Sequence, residues 1–421
     1  MDRLGKRLMG HSKKYSGYSA YQYLEPGRDY KQFKLRDAIL SEWSYRVPLT
    51  RSDEDRAEEI IEKNILVDLH EHPVLFPQDM AQTYQLSREG REFMAYEALS
   101  MSGLDAVFDN LLNGFSTITS KMGWKWSDTV HDLGMRLCDI AHQDFVVHCR
   151  KVDDIASAFK SGRLAWVASL ESSSCIENEV DRIDVLYGLG VRCMGLTYSE
   201  SNMLGSGLGE SRVAGLSDFG HDAVVRMNKL GMLVDVSHCH VTTCLDAIES
   251  SKDPILVSHC GARTLTQIPR MLPDDALQAL AEGNGLLGVE AAPNLTATLK
   301  HPIHSIESYM EHIEYCIDLM GIDHVGCGPD TMYGDHVGLY RVGVSRGMNE
   351  GLGHCPRGSA ESRYLGIDMD FETMPKYVQG MENPTECLQN VVRWMVKHGY
   401  SDGEIAKVAG GNAMRLLRLV W

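Results

Sequence analysis

The chain has 421 residues with a hydrophobic fraction of 43% and a charged fraction of 24%, which are the proportions of a globular protein with a sizeable core rather than of a disordered chain. Its formal net charge of -17 argues against nucleic acid as the main partner, because phosphate binding needs a positive footprint. No stretch reaches membrane-spanning length, the first ten residues lack the apolar core of a secretory signal, and the 11 cysteines show no CxxC pairing; a cytoplasmic protein with reduced thiols is the expectation.

Residues 1–51 read as an arm. Arg3, Lys6, Arg7, Lys13, Lys14, Arg28, Lys31, Lys34, Arg36 and Arg46 outnumber the acids there, and tyrosines stand at 15, 18, 21, 23, 30 and 45. Such an arm suits packing, against its own body or a neighbouring subunit, which makes a homodimer the expected assembly. From Ser52, acidic residues crowd the first turns of a helix that leads into the apolar run Ile65-Leu66-Val67-Asp68-Leu69. This run ends at His70-Glu71-His72, and in an extended strand the i, i+2 spacing puts both imidazoles on one face.

Seven more apolar runs follow, at 104–108, 164–170, 191–197, 232–236, 255–257, 286–289 and 325–327. Amphipathic stretches such as 179–189, 218–230, 241–250, 273–281 and 305–320 lie between them, several opening on capping residues and closing at glycine. Eight strands alternating with helices predict a (β/α)8 barrel of the TIM type over residues 52–421. An open doubly wound sheet is disfavoured, since no glycine-rich phosphate loop follows the first strand. The glycine-rich stretch 331–374 after the eighth strand is too long for an ordinary connection and predicts a lid or an interface loop.

Barrel enzymes carry their chemistry at the carboxyl ends of the strands. At those ends stand His70 and His72, Glu171, His238, His259 and Asp330. Imidazoles and carboxylates in this number suffice for two divalent metal ions, with Glu171 offering one oxygen to each. Ions about 3.5 Å apart hold a hydroxide made available near neutral pH, and Asp330 is placed to move the proton between attacking water and leaving group. Hydrolysis of an amide or ester-like bond is the chemistry implied.

From about Ile61 to Leu419 the chain resembles the membrane dipeptidase family of zinc metallopeptidases, within the amidohydrolase superfamily of barrels. The segments that carry the resemblance are Val67-Asp68-Leu69-His70, Ser169-Leu170-Glu171, Gly190-Val191-Arg192, Gly215-Leu216-Ser217-Asp218-Phe219-Gly220, Leu233-Val234-Asp235-Val236-Ser237-His238, Ser258-His259, Leu272-Pro273-Asp274-Asp275, the run from Val325 to Asp330, and Gly410-Gly411-Asn412. The resemblance implies that His70, Glu171, His238 and His259 hold two zinc ions, that Asp330 handles the proton, and that Arg270 grips a substrate carboxylate. It implies a dipeptide or related small amide as substrate. Where the family has His-x-Asp on the first strand this chain has His72, which keeps a ligand and makes the cluster one charge more positive. Where the family has a substrate-contacting histidine after the fourth strand, this chain has Tyr198, whose phenol donates a similar hydrogen bond. Asn202 and the glycines after it are expected to line the pocket. An amidohydrolase of a non-peptide amide or lactone is the second reading, and a non-catalytic binding barrel the third.

Overall fold

The computed structural model describes residues 13–38, 45–111, 125–340 and 377–421. Among them are ten strands: β1 Val67–Leu75, β2 Ala106–Asn110, β3 Val146–His148, β4 Leu164–Leu170, β5 Val191–Gly195, β6 Leu233–Asp235, β7 Leu256–Cys260, β8 Leu286–Val289, β9 Val325–Cys327 and β10 Met332–Tyr333. Every ladder is parallel, in the order β10-β1-β2-β4-β5-β6-β7-β8-β9, with β3 attached to β4. The eight predicted strands are β1, β2 and β4 to β9. At the seam where the curled sheet returns on itself, the Asp330 N–H donates to the His70 carbonyl at 3.0 Å, bringing the end of β9 onto β1. The architecture is that of a TIM-type α/β barrel.

The strands alternate strictly enough to sort their side chains into two layers. Val67, Leu69, Ala106, Phe108, Ala165, Val167, Cys193, Leu233, Leu256 and Leu286 form one buried cluster together with Ala413, Met414, Leu416, Leu417 and Val420. The carboxyl-terminal helix Asn412–Val420 therefore stoppers the barrel at the end where these strands begin, opposite the histidines. The alternate residues Val107, Trp166, Met194, Val234, Val257 and Leu287 pack outward in the larger core under the surrounding helices.

Helix boundaries follow their capping chemistry. Thr50 accepts from the Asp53 N–H at the start of Arg51–Lys63, and Ser217 accepts from Gly220 at the start of Asp218–Leu230, which closes at Gly231 with φ 71°. Helices Trp126–Ile140 and Val152–Lys160, and the short β3, were not anticipated from sequence. β3 takes the first half of one β4 edge, at Leu164–Trp166, and β5 takes the second half, at Ala168–Leu170, so an extra strand fits without opening the barrel.

Two differences concern the site directly. β1 does not stop at His72 but runs on to Leu75, because β10 supplies a partner: His72 lies opposite Met332 and Leu75 opposite Tyr333. The expected lid begins with this added strand, and its residues 341–374 lie outside the described residues. In the arm, residues 1–12 and 39–44 likewise lie outside them. The rest lies against the chain's own body: Lys13 forms a buried ion pair with Asp105 at 2.5 Å, and the Tyr18 hydroxyl, the Tyr21 N–H and the Tyr96 hydroxyl all donate to the Asp139 carboxylate.

Candidate metal centre

The local backbone decides which side chains reach the barrel mouth. Leu69 belongs to the interior cluster, so strict alternation would send His70 outward. The β1–β2 register instead slips between Asp68 and Glu71, and it is His70 and His72 that face the centre. β7 slips in the same way between Val257 and Cys260, turning His259 inward next to Ser258. Gly328 permits the close approach of β9, since a Cβ there would lie 1.8 Å from the Ser258 carbonyl oxygen.

Six of the predicted residues converge. Glu171 Oε1 lies 3.1 Å from His238 Nε2, 3.6 Å from His259 Nε2 and 3.7 Å from His70 Nε2. Asp330 Oδ1 lies 3.5 Å from His72 Nε2 and 3.6 Å from His70 Nε2. Two triads of potential ligand atoms, His70/His72/Glu171 and Glu171/His238/His259, share Glu171. The imidazoles of His70 and His259 are fully buried, and Asp330, with 14% of its side chain exposed, is the most open member.

Hydrogen bonds behind the rings aim them. His259 Nδ1 sits 2.8 Å and His70 Nδ1 3.2 Å from Ser258 Oγ, whose own proton goes to Asp235 Oδ2 at 2.5 Å. Asp235 Oδ1 accepts from the Ser237 hydroxyl and from the backbone N–H groups of Ser237 and Ser258. His72 Nδ1 donates to the Asn110 carbonyl at 3.1 Å, and the Asn110 side-chain amide meets His70 Nδ1 at 2.9 Å. With Nδ1 donating to Ser258 Oγ, His259 presents its Nε2 lone pair to the centre, the tautomer a metal ligand needs. Burial drives His70, His238 and His259 well below the usual imidazole pKa, so these rings are neutral. Burial also lowers that of His72, but the Asp330 hydrogen bond and nearby carboxylates outweigh it and hold the ring up to about 9. Asp330 is correspondingly depressed: burial acts upward and the His72 contact overcomes it.

Asp330 adopts a left-handed backbone with φ 55°, a conformation aspartate tolerates better than most residues. It is fixed there by its N–H bond to His70 and by the next residue, Thr331, whose hydroxyl and N–H both donate to the buried Glu71 carboxylate at 2.7 and 3.1 Å. Glu71 thus faces away from its two histidine neighbours and ties β10 to β1.

The remaining predicted residues divide. The Tyr198 ring stacks on His238 with centroids 4.1 Å apart. Arg270 is brought beside the centre and is engaged on its Nη side: Nη1 donates to the Ser237 carbonyl, Nη2 to the His259 carbonyl, and Nη2 lies 2.8 Å from Glu290 Oε2. Asn202 does not join them; its amide donates to the Leu196 carbonyl and its oxygen accepts from the Leu204 N–H, which shapes the loop after β5. Sequence reasoning missed Glu290, Asn110 and the Asp235 network. Glu290 and Asn110 stand at the ends of β8 and β2, and the strand-end test that found the other residues reaches both when applied to those strands.

His70 Nε2 is buried without a hydrogen-bond partner, in a mouth lined by imidazoles and carboxylates. Such an orphaned nitrogen fits a divalent cation with N and O ligands. An α/β barrel with a candidate metal centre at the carboxyl ends of its strands is the class that fold and site define. The chain belongs to the membrane dipeptidase family, peptidase family M19, whose family model matches residues 54–340 and 357–420. It is 28% identical to a protein named dipeptidase tcpJ from Claviceps purpurea over 309 residues, 70% of this chain and 62% of that protein. It is 27% identical to dipeptidase aclJ from Aspergillus oryzae over 65% of this chain and 56% of that protein. The aligned part of the chain thus spans under two thirds of these relatives' length. Among solved structures, an amidohydrolase from Pseudomonas aeruginosa aligns with a TM-score of 0.70 at 24% identity, covering 87% of this chain and 99% of that one. A dipeptidase described as a metallopeptidase of family M19 aligns at 0.63 and 19% identity, covering 85% and 99%. These structural likenesses establish the fold. No helix among the described residues is long and apolar enough to cross a membrane.

Proposed function

We propose that the protein is a metal-dependent hydrolase that cleaves a dipeptide or a related small amide, using two divalent ions, with zinc as the expected metal. The observation that carries this reading is the Glu171 carboxylate, one oxygen of which faces three imidazole nitrogens and which two ligand triads share. His70, His72 and Glu171 would hold one ion, and Glu171, His238 and His259 the other. When bound, such ions polarise a carbonyl oxygen and acidify a coordinated water.

The chain's own groups do the rest. Asp330 Oδ1, at the open side of the cluster, accepts the proton of the attacking water and returns it to the leaving nitrogen. The seam bond keeps that oxygen aimed, and the left-handed backbone turns it into the mouth. Tyr198, stacked on His238, is the proposed donor to the developing oxyanion, Arg270 a substrate-binding group, and Asn202 a shaper of the loop that carries Tyr198. The barrel of residues 52–421 with its arm of residues 1–51 is taken to work in the cytoplasm as a homodimer, which sedimentation of the purified protein tests.

Metal analysis of the purified protein, combined with hydrolysis assays on L-Xaa-L-Xaa and L-Xaa-D-Xaa dipeptides and their amides, tests the central reading. The expected result is two ions per chain and turnover abolished by chelation. Two bound ions with no turnover of any of these substrates would overturn it.

A further inference from the structure

One charged pair at the barrel mouth is complete before any ligand arrives. Arg270 and Glu290 have side chains 1% and 0% exposed, and their charged atoms approach to 2.8 Å. Glu290 is not behind the site but in it: its carboxylate lies within 4.8 Å of ligand atoms of His259 and Asp330. Its backbone is pinned, because the Thr296 hydroxyl donates to the Glu290 carbonyl at 2.9 Å and receives a hydrogen bond from His304 Nε2 at 2.7 Å.

Two features of this pair bear on what can bind beside it. First, the anion-accepting side of Arg270 is already met by an anion. One Nη1 and one Nη2 N–H also go to the Ser237 and His259 carbonyls, so a substrate carboxylate arriving there meets Glu290 across a buried gap where like charges are poorly screened. Burial pushes the Glu290 carboxyl up to about 8, and the Arg270 guanidinium favours its charge against that burial. Second, although ion-paired, both Glu290 oxygens are buried without a hydrogen-bond donor in good geometry. Buried acceptors of this kind call for a donor, and here a ligand is positioned to bring one.

We propose that Glu290 is a specificity-determining residue, which makes this subsite select an uncharged carboxamide-type edge in place of a free carboxylate. The ligand's carbonyl oxygen accepts from Arg270, and its N–H donates to Glu290. The inference rests on the hydrolase reading above and sharpens it: the substrate is an amide whose group at this end is neutral.

The test uses the metal-loaded protein and two phosphinate dipeptide mimics that differ only in ending as a free acid or as a primary carboxamide, with binding measured by titration calorimetry. The wild type is expected to bind the carboxamide at least about 10-fold tighter, since opposed buried charges penalise the acid. In Glu290→Gln, acid affinity rises about 10-fold or more while carboxamide affinity changes less than about 3-fold. Metal content and melting temperature verify that the variant is folded, and the wild-type preference stands as a measurement that needs no variant. A wild type that binds the free acid as tightly as the carboxamide overturns the inference and leaves the hydrolase reading intact. Failure of both mimics to bind protein that carries its metals overturns the hydrolase reading, and the inference with it.

Discussion

The two flanks of the metal centre are built on different principles. On the β6–β7 flank, His259 is backed by the Ser258 hydroxyl, and that hydroxyl by Asp235, which also takes three hydrogen bonds from Ser237 and Ser258. Every member lies on or just beyond two adjacent paired strands, and none is more than 6% exposed. On the β1–β9 flank, His72 has one backing bond, to the Asn110 carbonyl, and faces Asp330, a residue held in a left-handed turn at the barrel seam. In the proposed reading the first flank fixes ligands for an ion, and the second presents a carboxylate beside its own ligand, His72. On that reading, most of the support for metal affinity and the support for chemistry on the substrate are separate, with His70 and Glu171 spanning them.

Three experiments can break or sharpen this division. Asp330→Asn has the largest expected effect on turnover, a loss of about 100- to 10,000-fold, because the amide cannot take up a proton. Metal content should stay at the wild-type value, and a parallel loss of metal would mean that the flanks are not separable. Asp235→Asn should do the reverse. Weakening the support behind His259 and His70 should lower metal affinity by about 10- to 100-fold, as outer-shell changes do, and excess metal should restore turnover. Titration with a chelating competitor measures the first effect, and an assay at saturating metal the second.

The smallest effect is in stability, and there the flanks should fail at opposite ends of the pH scale. Under β7, His312 Nδ1 accepts the Ala262 N–H at 3.0 Å, and burial depresses this imidazole from 6.5 to about 3. The unfolded chain therefore binds a proton that the fold refuses, and stability is lost as pH falls below 6.5, by about 1.4 kcal/mol per pH unit. Beside β10, the Tyr333 hydroxyl meets Thr385, next to Glu386, whose carboxyl accepts the Tyr45 and Glu382 N–H groups. Burial raises that carboxyl from 4.5 to about 7. Here the fold keeps a proton that the unfolded chain releases, so stability falls as pH rises from 4.5 through about 7, by about 3 kcal/mol in all. Hydrogen exchange of the metal-free protein, corrected for intrinsic rates, should show residues 255–262 losing protection at pH 5 and residues 331–340 and 378–387 at pH 8. The same order of protection at both pH values would contradict the assignment.

Much of the barrel was legible in the sequence, because buried parallel strands read as apolar runs and their helices carry capping residues and closing glycines. The central residues were legible for a related reason: ligand-type side chains at the ends of apolar runs have few structural explanations. What escaped did so for identifiable causes. β10 is two residues long and has no pattern of its own; only its pairing with β1 makes it a strand, and that pairing carries β1 past His72. The register slips that turn His70 and His259 inward leave no trace in composition, since alternation alone predicts the opposite facing for one of each adjacent pair. Asn202 looked like pocket lining because loop amides and ligand-binding amides share the same chemistry, and only its bonds to Leu196 and Leu204 separate the two. Glu290 was hidden by its neighbours, Val289 and Ala291, which read as the plain end of a strand.

The hydrogen bond from Asp330 to His70 at the seam has an implication for how the protein acquires activity. The contact that brings the last barrel strand to the first is made by the backbone of the residue proposed to carry the proton. A chain that has assembled every strand but not joined the two ends has no correctly aimed carboxylate, however well its metals are bound. Turnover during refolding should therefore emerge in a single late step, lagging behind metal uptake, and serve as a reporter of ring closure in this chain.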